Sequence, residues 1–110
     1  MKGLGNAMRI EYLEAALSDL DNITDYYFAL FGIESAMKVY DQIRASVGQL
    51  DEYPGSGVPC KDRQLKILGY RELFSGRFVI VYRVDEGEQK VYINHIADTQ
   101  TDYPHLYKTL

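Results

Sequence analysis

The sequence predicts an α+β fold in which a hairpin of two helices packs on one face of a small, mostly antiparallel sheet. Apolar residues recur every three or four positions through residues 14–50, which is the period of amphipathic helices. Three short runs rich in Val, Ile, Phe and Tyr follow between residues 70 and 96, and turn residues separate them. Grouped helices followed by grouped strands favour the α+β class.

The helical part follows a short first strand. Residues 9–13 alternate between polar and apolar side chains, as a strand does. The first helix is predicted from Glu14 to Gly32, where glycine ends it, and the second from Ile33 to Leu50. The very short connection requires an antiparallel hairpin. Proline and glycine in residues 53–59 stop the second helix.

The second half is predicted to be a loop, as far as Leu68, and then a three-strand meander. The strands are Tyr70–Phe74, Phe78–Val84 and Lys90–Ile96, with turns at Ser75-Gly76 and at residues 85–88. The sequence after Asp98 has no periodicity. We therefore expect a domain at residues 8–104, an N-terminal extension, native or from cloning, at 1–7, and a C-terminal tail at 105–110.

The composition is that of one ordinary globular domain. The chain has 110 residues, of which 46% are hydrophobic and 25% charged, so it can form a single core without metals or disulfides. Its one cysteine, Cys60, excludes an intramolecular disulfide and fits a reducing compartment. Since neither a signal-peptide pattern nor a membrane-length apolar run occurs, we expect a cytoplasmic protein that does not span a membrane.

Positive charge is concentrated in the middle of an acidic chain. The net charge is −4, but residues 1–60 carry −5, residues 61–83 carry +4 and residues 84–110 carry −3. Local asymmetry of this kind favours an anion-binding surface, while the overall acidity argues against sequence-blind binding of duplex nucleic acid. The candidate phosphate- or partner-binding residues are Lys61, Arg63, Lys66, Arg71, Arg77 and Arg83.

Strand alternation assigns the arginines to faces. Phe78, Ile80, Tyr82 and Val84 form the apolar, core-facing side of their strand, which leaves Arg77, Val79, Val81 and Arg83 on the other side. Either Arg71 or Glu72 joins them on this outer face, which we expect to be free. A guanidinium cluster there would bind phosphate or carboxylate in bidentate fashion; the alternative is ordinary solvated charge.

Few other residues suggest chemistry. His95, at the end of the last strand, is a candidate general acid or base, or else a structural histidine. Tyr92 and Tyr103 are candidates for stacking on bases, although tyrosines more often fill cores and rims. Cys60 has no positioned base in its sequence neighbourhood and is interpreted as a structural thiol. We expect no metal and no cofactor, because His95, His105 and Cys60 lack zinc-like spacing and no phosphate loop is present.

Several motifs recur in a fixed order along residues 8–104. A Tyr53-Pro-x-x-Gly exit follows the helix hairpin, and Gly69-Tyr-Arg-x-Leu begins the meander. Gly76-Arg-Phe-x-Ile-x-Tyr-Arg-Val comes next, and His95-Ile-x-Asp-Thr leads to Asp-Tyr-Pro at 102–104. With this order and spacing the chain resembles toxins of the RelE/ParE superfamily of bacterial type II toxin–antitoxin systems, also called plasmid stabilisation proteins.

The resemblance implies a small toxin that a co-expressed antitoxin neutralises. RelE-like members are metal-free endoribonucleases that cut mRNA on the ribosome, whereas ParE-like members inhibit DNA gyrase. By position, Arg71 and Arg83 match strand arginines of the family. In a nuclease they and Lys66 would bind phosphate, and His95 or Tyr103 would transfer protons.

Two departures from the nuclease pattern favour a gyrase-type or unassigned toxin. Gln100 stands where many relatives carry an arginine, and the net charge of −4 contrasts with the basic character of ribosome-dependent nucleases in the family. Loss of a cation that stabilises a transition state typically costs several kcal/mol. The alternative to both toxin types is a non-toxic module that keeps the fold and binds only an antitoxin-like partner.

Overall fold

The computed structural model describes residues 7–110 and confirms the predicted α+β architecture. Its elements are β1 (Arg9–Tyr12), α1 (Glu14–Phe31), α2 (Ile33–Gly48), β2 (Val58–Pro59), α3 (Arg63–Ile67), β3 (Tyr70–Ser75), β4 (Phe78–Asp85) and β5 (Lys90–Asp98). Short 3-10 helices at Gln49–Asp51 and Tyr103–Thr109 follow α2 and β5. None of the described helices is long and apolar enough to cross a bilayer. The predicted extension at residues 1–7 lies outside the described residues, apart from Ala7.

The five strands form one sheet in the order β1-β5-β4-β3-β2. The predicted meander is confirmed, since β3, β4 and β5 are antiparallel neighbours. β1 lies parallel to β5 at one edge, because the intervening hairpin carries the chain back across the sheet. β2 and α3 lie where the sequence predicted only a loop. Elements of two and five residues are too short to produce a periodic signal.

Gly32 alone makes the turn between the two helices. Its N–H donates to the Phe28 carbonyl at 3.0 Å and so ends α1. Its own carbonyl accepts the Ala36 N–H at 3.1 Å in the first turn of α2. The φ angle of 92° is one that glycine adopts without strain. The antiparallel hairpin predicted from the short connection is confirmed.

The hairpin packs on one face of the sheet and forms the core there. The predicted core side of β4 is confirmed, because its apolar residues cluster with the inner stripes of both helices. The buried cluster includes Ala16, Leu20, Ile43, Val47, Leu73, Phe78, Ile80, Tyr82, Val91, Ile93 and Ile96.

A bulge keeps β5 in register with this core. Ile93 lies opposite Tyr82 and Ile96 opposite Ile80, so Asn94 is an additional residue between them. In a regular strand, residues three positions apart such as Ile93 and Ile96 would point to opposite faces of the sheet. The bulge therefore keeps both isoleucines in the core.

The second face of the sheet is covered around its centre, so the expectation of a free face is wrong there. Val79 and Val81 on this face are both 0% exposed. Part of the cover comes from the 3-10 helix Tyr103–Thr109, which we call the C-terminal segment. It includes most of the predicted tail at 105–110, which therefore packs against the domain.

Two polar contacts fix the path of the C-terminal segment. The Tyr107 hydroxyl donates to the Glu72 carboxylate, and Thr109 Oγ1 lies 2.8 Å from His95 Nε2. Glu72, Val81 and His95 form one row across β3, β4 and β5. A segment that contacts both ends of the row crosses over Val81, which explains why this valine is inaccessible.

Candidate functional site

The structure separates the two strand arginines that the sequence grouped together. Arg71 lies opposite Tyr82, whose ring is in the core, so Arg71 is on the helix side of the sheet. Arg83 lies opposite Tyr92 on the other face. An outer cluster of Arg71, Arg77 and Arg83 does not form. Of the two residues proposed to join Arg83, the structure places Glu72 on that face, since strand neighbours alternate.

Arg71 holds the loop that follows α2. Its Nε donates to the Gly57 carbonyl at 3.1 Å, and its Nη2 donates to the Gly55 carbonyl at 3.2 Å. Beside it, the buried Tyr82 hydroxyl donates to the Pro54 carbonyl at 2.7 Å and accepts the Gly57 N–H at 2.9 Å. Burial raises the pKa of Tyr82, against the opposing effects of the Gly57 N–H and Arg71. The Tyr-Pro-x-x-Gly motif and the two strand motifs thus form one structural network.

Gly57 has a packing role in this network. A Cβ at this position would lie 2.7 Å from both the Tyr82 hydroxyl and the Glu72 carbonyl oxygen. Only glycine lets the loop backbone approach the sheet so closely.

Arg77 lies in the turn between β3 and β4 and binds the end of β5. Its Nη2 is 2.6 Å from Asp98 Oδ2, its Nε donates to the same oxygen at 2.8 Å, and Nη2 also donates to Gln100 Oε1 at 3.2 Å. Burial by itself would raise the pKa of Asp98. The hydrogen bonds from Arg77 and from the Gln100 N–H, together with the Arg77 charge, outweigh this and hold that pKa below its usual value.

Arg83 contacts side chains of its own chain on the second face. Its guanidinium carbon is 5.0 Å from the Tyr92 ring centroid, a cation–π distance, and its Nη1 is 3.7 Å from Asp85. The Lys90 ammonium is 5.9 Å from the same ring. Tyr92, a candidate for base stacking, is therefore in contact with two cations of its own chain.

His95 is buried between α1 and the C-terminal segment. The residue is 7% exposed, and its Nδ1 lies 3.0 Å from Asp19 Oδ2. The same carboxylate oxygen accepts the Ile96 N–H at 3.0 Å, while His95 Nε2 contacts Thr109. These contacts tie three elements together, as expected of a structural histidine.

The four predicted catalytic residues have separate partners. Tyr103 packs edge-on against Tyr107, with ring centroids 6.3 Å apart, while His95 is buried against Asp19. Arg71 and Arg83 lie on opposite faces of the sheet. No hydrogen bond or ion pair joins any two of these four within residues 7–110. The second histidine, His105, is exposed and contacts the Asp102 carbonyl.

Three other predicted cations, Lys61, Arg63 and Lys66, remain exposed on and beside α3. Asp62 caps this helix by accepting the Leu65 N–H at 3.0 Å. None of the three cations forms an ion pair with a described residue. They are therefore available to bind an anion or a partner.

Large apolar side chains adjoin these cations. Ile67 is 74% exposed and Leu68 is 61% exposed. We call residues 61–68 the basic segment. Its mixture of positive charge and exposed aliphatic surface suits a protein partner better than bare phosphate, which offers nothing for the aliphatic side chains to pack against.

A sequence model described as "ParE toxin of type II toxin-antitoxin system, parDE" matches residues 10–103. The match covers all three α-helices and all five strands, apart from the first residue of β1. The chain belongs to the ParE toxin family.

Relatives of known sequence or structure agree with this assignment. The chain is 38% identical to Toxin ParE1 of Caulobacter vibrioides over 69 residues. The aligned segment covers 63% of this chain and 69% of that protein. A chain of the chromosomal ParDE system from P. aeruginosa is 28% identical, with a TM-score of 0.71 over 84% of this chain and 97% of that one. The RelBE2 toxin–antitoxin complex from Mycobacterium tuberculosis is similar in fold only, at 19% identity and a TM-score of 0.60 over 84% of this chain and 98% of that one.

In this ParE-family chain, the sequence reasoning missed the polar residues that attach α1 and the C-terminal segment. Asp19 and Tyr107 bind His95 and Glu72 respectively. The sequence did contain one indication for Asp19, because this residue directly precedes buried Leu20 at the border of the apolar stripe of α1. No comparable signal marked Tyr107, because the sequence around it has no periodicity.

Cys60 is an inert part of the same fold. Burial is the largest cause that raises the pKa of its thiol to about 11, and the Glu72 and Asp62 carboxylates add to this effect. Burial also raises the pKa of Glu72, while Lys61 acts in the opposite direction. A thiol of this pKa is protonated at neutral pH and is a poor nucleophile.

Proposed function

We propose that this ParE-family chain is the toxin of a type II toxin–antitoxin pair, that a cognate antitoxin protein neutralises it, and that it acts in the cytoplasm by binding a protein target. DNA gyrase is the target that the resemblance to ParE-like toxins implies. RNA cleavage and a non-toxic binding module are the competing functions.

The main observation against RNA cleavage is that the sheet arginines are already in contact with other groups of the same chain. Cleavage needs cations directed at the phosphate and a proton-transfer group beside them. Here Arg71 binds loop carbonyls, Arg77 binds Asp98, and Arg83 stacks on Tyr92. His95 is buried between α1 and the C-terminal segment. This arrangement serves the stability of the fold and does not resemble a nuclease centre.

Family membership supports an antitoxin partner. The matched family is that of toxins in type II toxin–antitoxin systems, and the structure at 28% identity comes from a ParDE system. The basic segment supports binding of a second protein, because its cations form no ion pair with a described residue and Ile67 and Leu68 are exposed beside them. We propose this segment as the surface that contacts the target.

A single induction experiment distinguishes the three functions. The chain is expressed from an inducible promoter in a bacterial host, alone and together with the product of the adjacent gene. Growth, gyrase supercoiling activity in extracts, and mRNA cleavage by primer extension are measured at the same times. We expect growth arrest with loss of supercoiling and intact mRNA, and relief of both effects by the neighbouring product.

Each other outcome identifies a competing function. Ribosome-dependent mRNA cuts that Arg83→Ala abolishes, in a variant that still folds, would establish the endonuclease and overturn our proposal. Unimpaired growth, together with binding of the neighbouring product, would establish the non-toxic module.

A further inference from the structure

A cavity of about 510 Å³ lies beside α1, at the end of the sheet opposite α3. We call it the α1 cavity. Its volume is within the range of about 300–1,000 Å³ that is usual for ligand pockets. Ile23, Phe78 and Leu106 supply apolar walls, whereas Asp19, Asn22 and Tyr26 supply polar groups and an aromatic ring. Leu106 belongs to the C-terminal segment, so that segment supplies part of the cavity wall.

The charges in the α1 cavity leave one carboxylate oxygen available. Arg77 and Asp98 also line the cavity, but they neutralise each other at 2.6 Å. Asp19 Oδ2 accepts both hydrogen bonds that this carboxylate makes, from His95 and from the Ile96 N–H. Asp19 Oδ1 has no partner among the described residues. Counting Asp19, Arg77 and Asp98, the side chains that line the cavity carry a net formal charge of −1.

The surroundings strengthen this negative character. α1 carries the carboxylates of Glu14, Asp19, Asp21 and Asp25 and contains no lysine or arginine. A partner that docks along this helix must supply positive charge to be electrostatically complementary. The basic segment cannot supply it within the same chain, because it lies at the opposite end of the sheet.

Tyr26 provides a surface for a planar cation. It is 58% exposed, and its ring packs edge-on against Tyr27, with centroids 5.7 Å apart. Tyr27 packs in turn on Phe78, so Tyr26 stands on a rigid aromatic base. A guanidinium attracted to such a ring adds cation–π stabilisation to any ion pair with the Asp19 carboxylate, which lines the same cavity.

We infer that the α1 cavity receives an arginine side chain of the antitoxin. The inference rests on the proposed function, which supplies the antitoxin as partner. The aliphatic part of the arginine packs on Ile23 and Leu106, and its guanidinium stacks on Tyr26 while donating to Asp19 Oδ1. Arginine fits better than lysine, because a planar fork can stack and donate at the same time.

Two pairs of matched variants test the inference. Tyr26→Ala removes the ring, and Phe28→Ala removes a ring that is 55% exposed on the same helix but does not line the cavity. Asp19→Asn removes the charge yet keeps an oxygen for His95 and Ile96, and Asp41→Asn removes an exposed charge of α2 outside the cavity. Circular dichroism and thermal unfolding verify that each variant folds.

The Kd of each variant for the purified product of the adjacent gene is measured by isothermal titration calorimetry. We expect Tyr26→Ala and Asp19→Asn to weaken binding about tenfold or more, as truncation of a central contact does, and both controls to change it less than about twofold. Each arginine of the antitoxin is then replaced by lysine and by alanine. One arginine should couple non-additively with Tyr26→Ala in a double-mutant cycle.

The failures of the two proposals are distinguishable. If the wild-type chain binds its neighbour and the cavity variants bind as well as their controls, the inference is wrong and the proposed function stands. Coupling to a residue of gyrase, with none to the antitoxin, also overturns the inference. If the wild-type chain binds no neighbouring product, both proposals fail.

Discussion

At the scale of single residues, the two strand arginines have different environments although the family motif makes them look equivalent. Arg71 bonds to the carbonyls of Gly55 and Gly57, whereas Arg83 stacks on Tyr92 at the surface. The side chains lie on opposite faces of the sheet. Arg71 is thus a structural residue, and Arg83 is the one whose replacement can test function without harming the fold.

Replacing these arginines should affect stability unequally. Arg71→Ala removes two charge-assisted hydrogen bonds and should lower the free energy of unfolding by about 1–3 kcal/mol. Arg83→Ala removes one cation–π contact and should lower it by about 0.5–1 kcal/mol. Urea denaturation of the two variants and the wild type measures the difference. Equal losses would contradict the assignment of Arg71 to the loop network.

Gly57→Ala should destabilise the fold by about 1–3 kcal/mol, the usual cost of overpacking. The new Cβ would meet the Tyr82 hydroxyl and the Glu72 carbonyl at 2.7 Å, and the second of these is backbone. Gly55→Ala is the matched control, because a Cβ there would meet only the Arg71 side chain at 4.0 Å. Denaturation midpoints that fall equally for both substitutions would argue against a close approach at Gly57.

The thiol of Cys60 should be unreactive in the native protein. Its pKa of about 11 lies above the ordinary value of 9.0, so the folded state binds the proton more tightly than the unfolded state. This contribution to stability is complete below pH 9.0 and is lost as the pH rises through about 11. Ellman's reagent at pH 8 should detect the thiol only after denaturation. Rapid reaction in the native state would contradict the buried placement.

At the scale of elements, the C-terminal segment determines what the second sheet face presents. It bonds to Glu72 and His95 and crosses over Val81 between them. Because it also lines the α1 cavity through Leu106, one short element covers part of the sheet and forms part of the cavity wall. The helical hairpin, by contrast, is set by Gly32 and by the apolar stripes of the two helices, and both are visible in the sequence.

Deletion of residues 103–110 should destabilise the domain without changing its fold. Exposing Val81 should cost about 1.5–3 kcal/mol. Urea denaturation measures the loss. His105→Ala, in an exposed position of the same segment, should leave stability unchanged. A deletion variant as stable as the wild type would show that the segment does not protect the sheet.

At the scale of the whole molecule, charge is distributed to opposite ends. The basic segment lies where β3 begins, and acidic α1 with its cavity lies where β5 ends. Two partners of opposite charge can therefore contact different parts of the chain. The net charge of −4 conceals this polarity because it averages the two ends.

Reversing the charge of the basic segment should relieve growth inhibition. The variant Lys61→Glu/Arg63→Glu/Lys66→Glu makes the surface proposed to contact the target negative. A loss of only about 1.4 kcal/mol in binding free energy lowers the affinity for the target about tenfold. The control Arg9→Glu/Lys38→Glu/Lys108→Glu changes the net charge equally at exposed sites elsewhere. Colony formation under induction is measured for both variants. Relief by the control alone, or by both equally, would remove the basic segment from the proposed target surface.

Much of this architecture could be predicted from the sequence. The order of the elements, the hairpin turn at Gly32, the core side of β4 and the family resemblance all follow from local periodicity and motif spacing. These features depend on residues close together in the chain, where side-chain period and turn chemistry act directly. The exposed cations Lys61, Arg63 and Lys66 were identified for the same reason, as part of a local excess of charge.

Only the tertiary structure decided which of the candidate residues are available for binding. Alternation states that Arg71 and Glu72 face opposite ways, but it cannot say which of them shares a face with Arg83, because this depends on the register of β3 against β4. The cover over Val81 depends on contacts from Tyr107 and Thr109, which lie more than a dozen residues away from their partners in the chain. The sequence by itself thus determined the fold and the family, because these follow from local patterns. The free or occupied state of each arginine follows from contacts between distant residues, which leave no periodic trace in the chain.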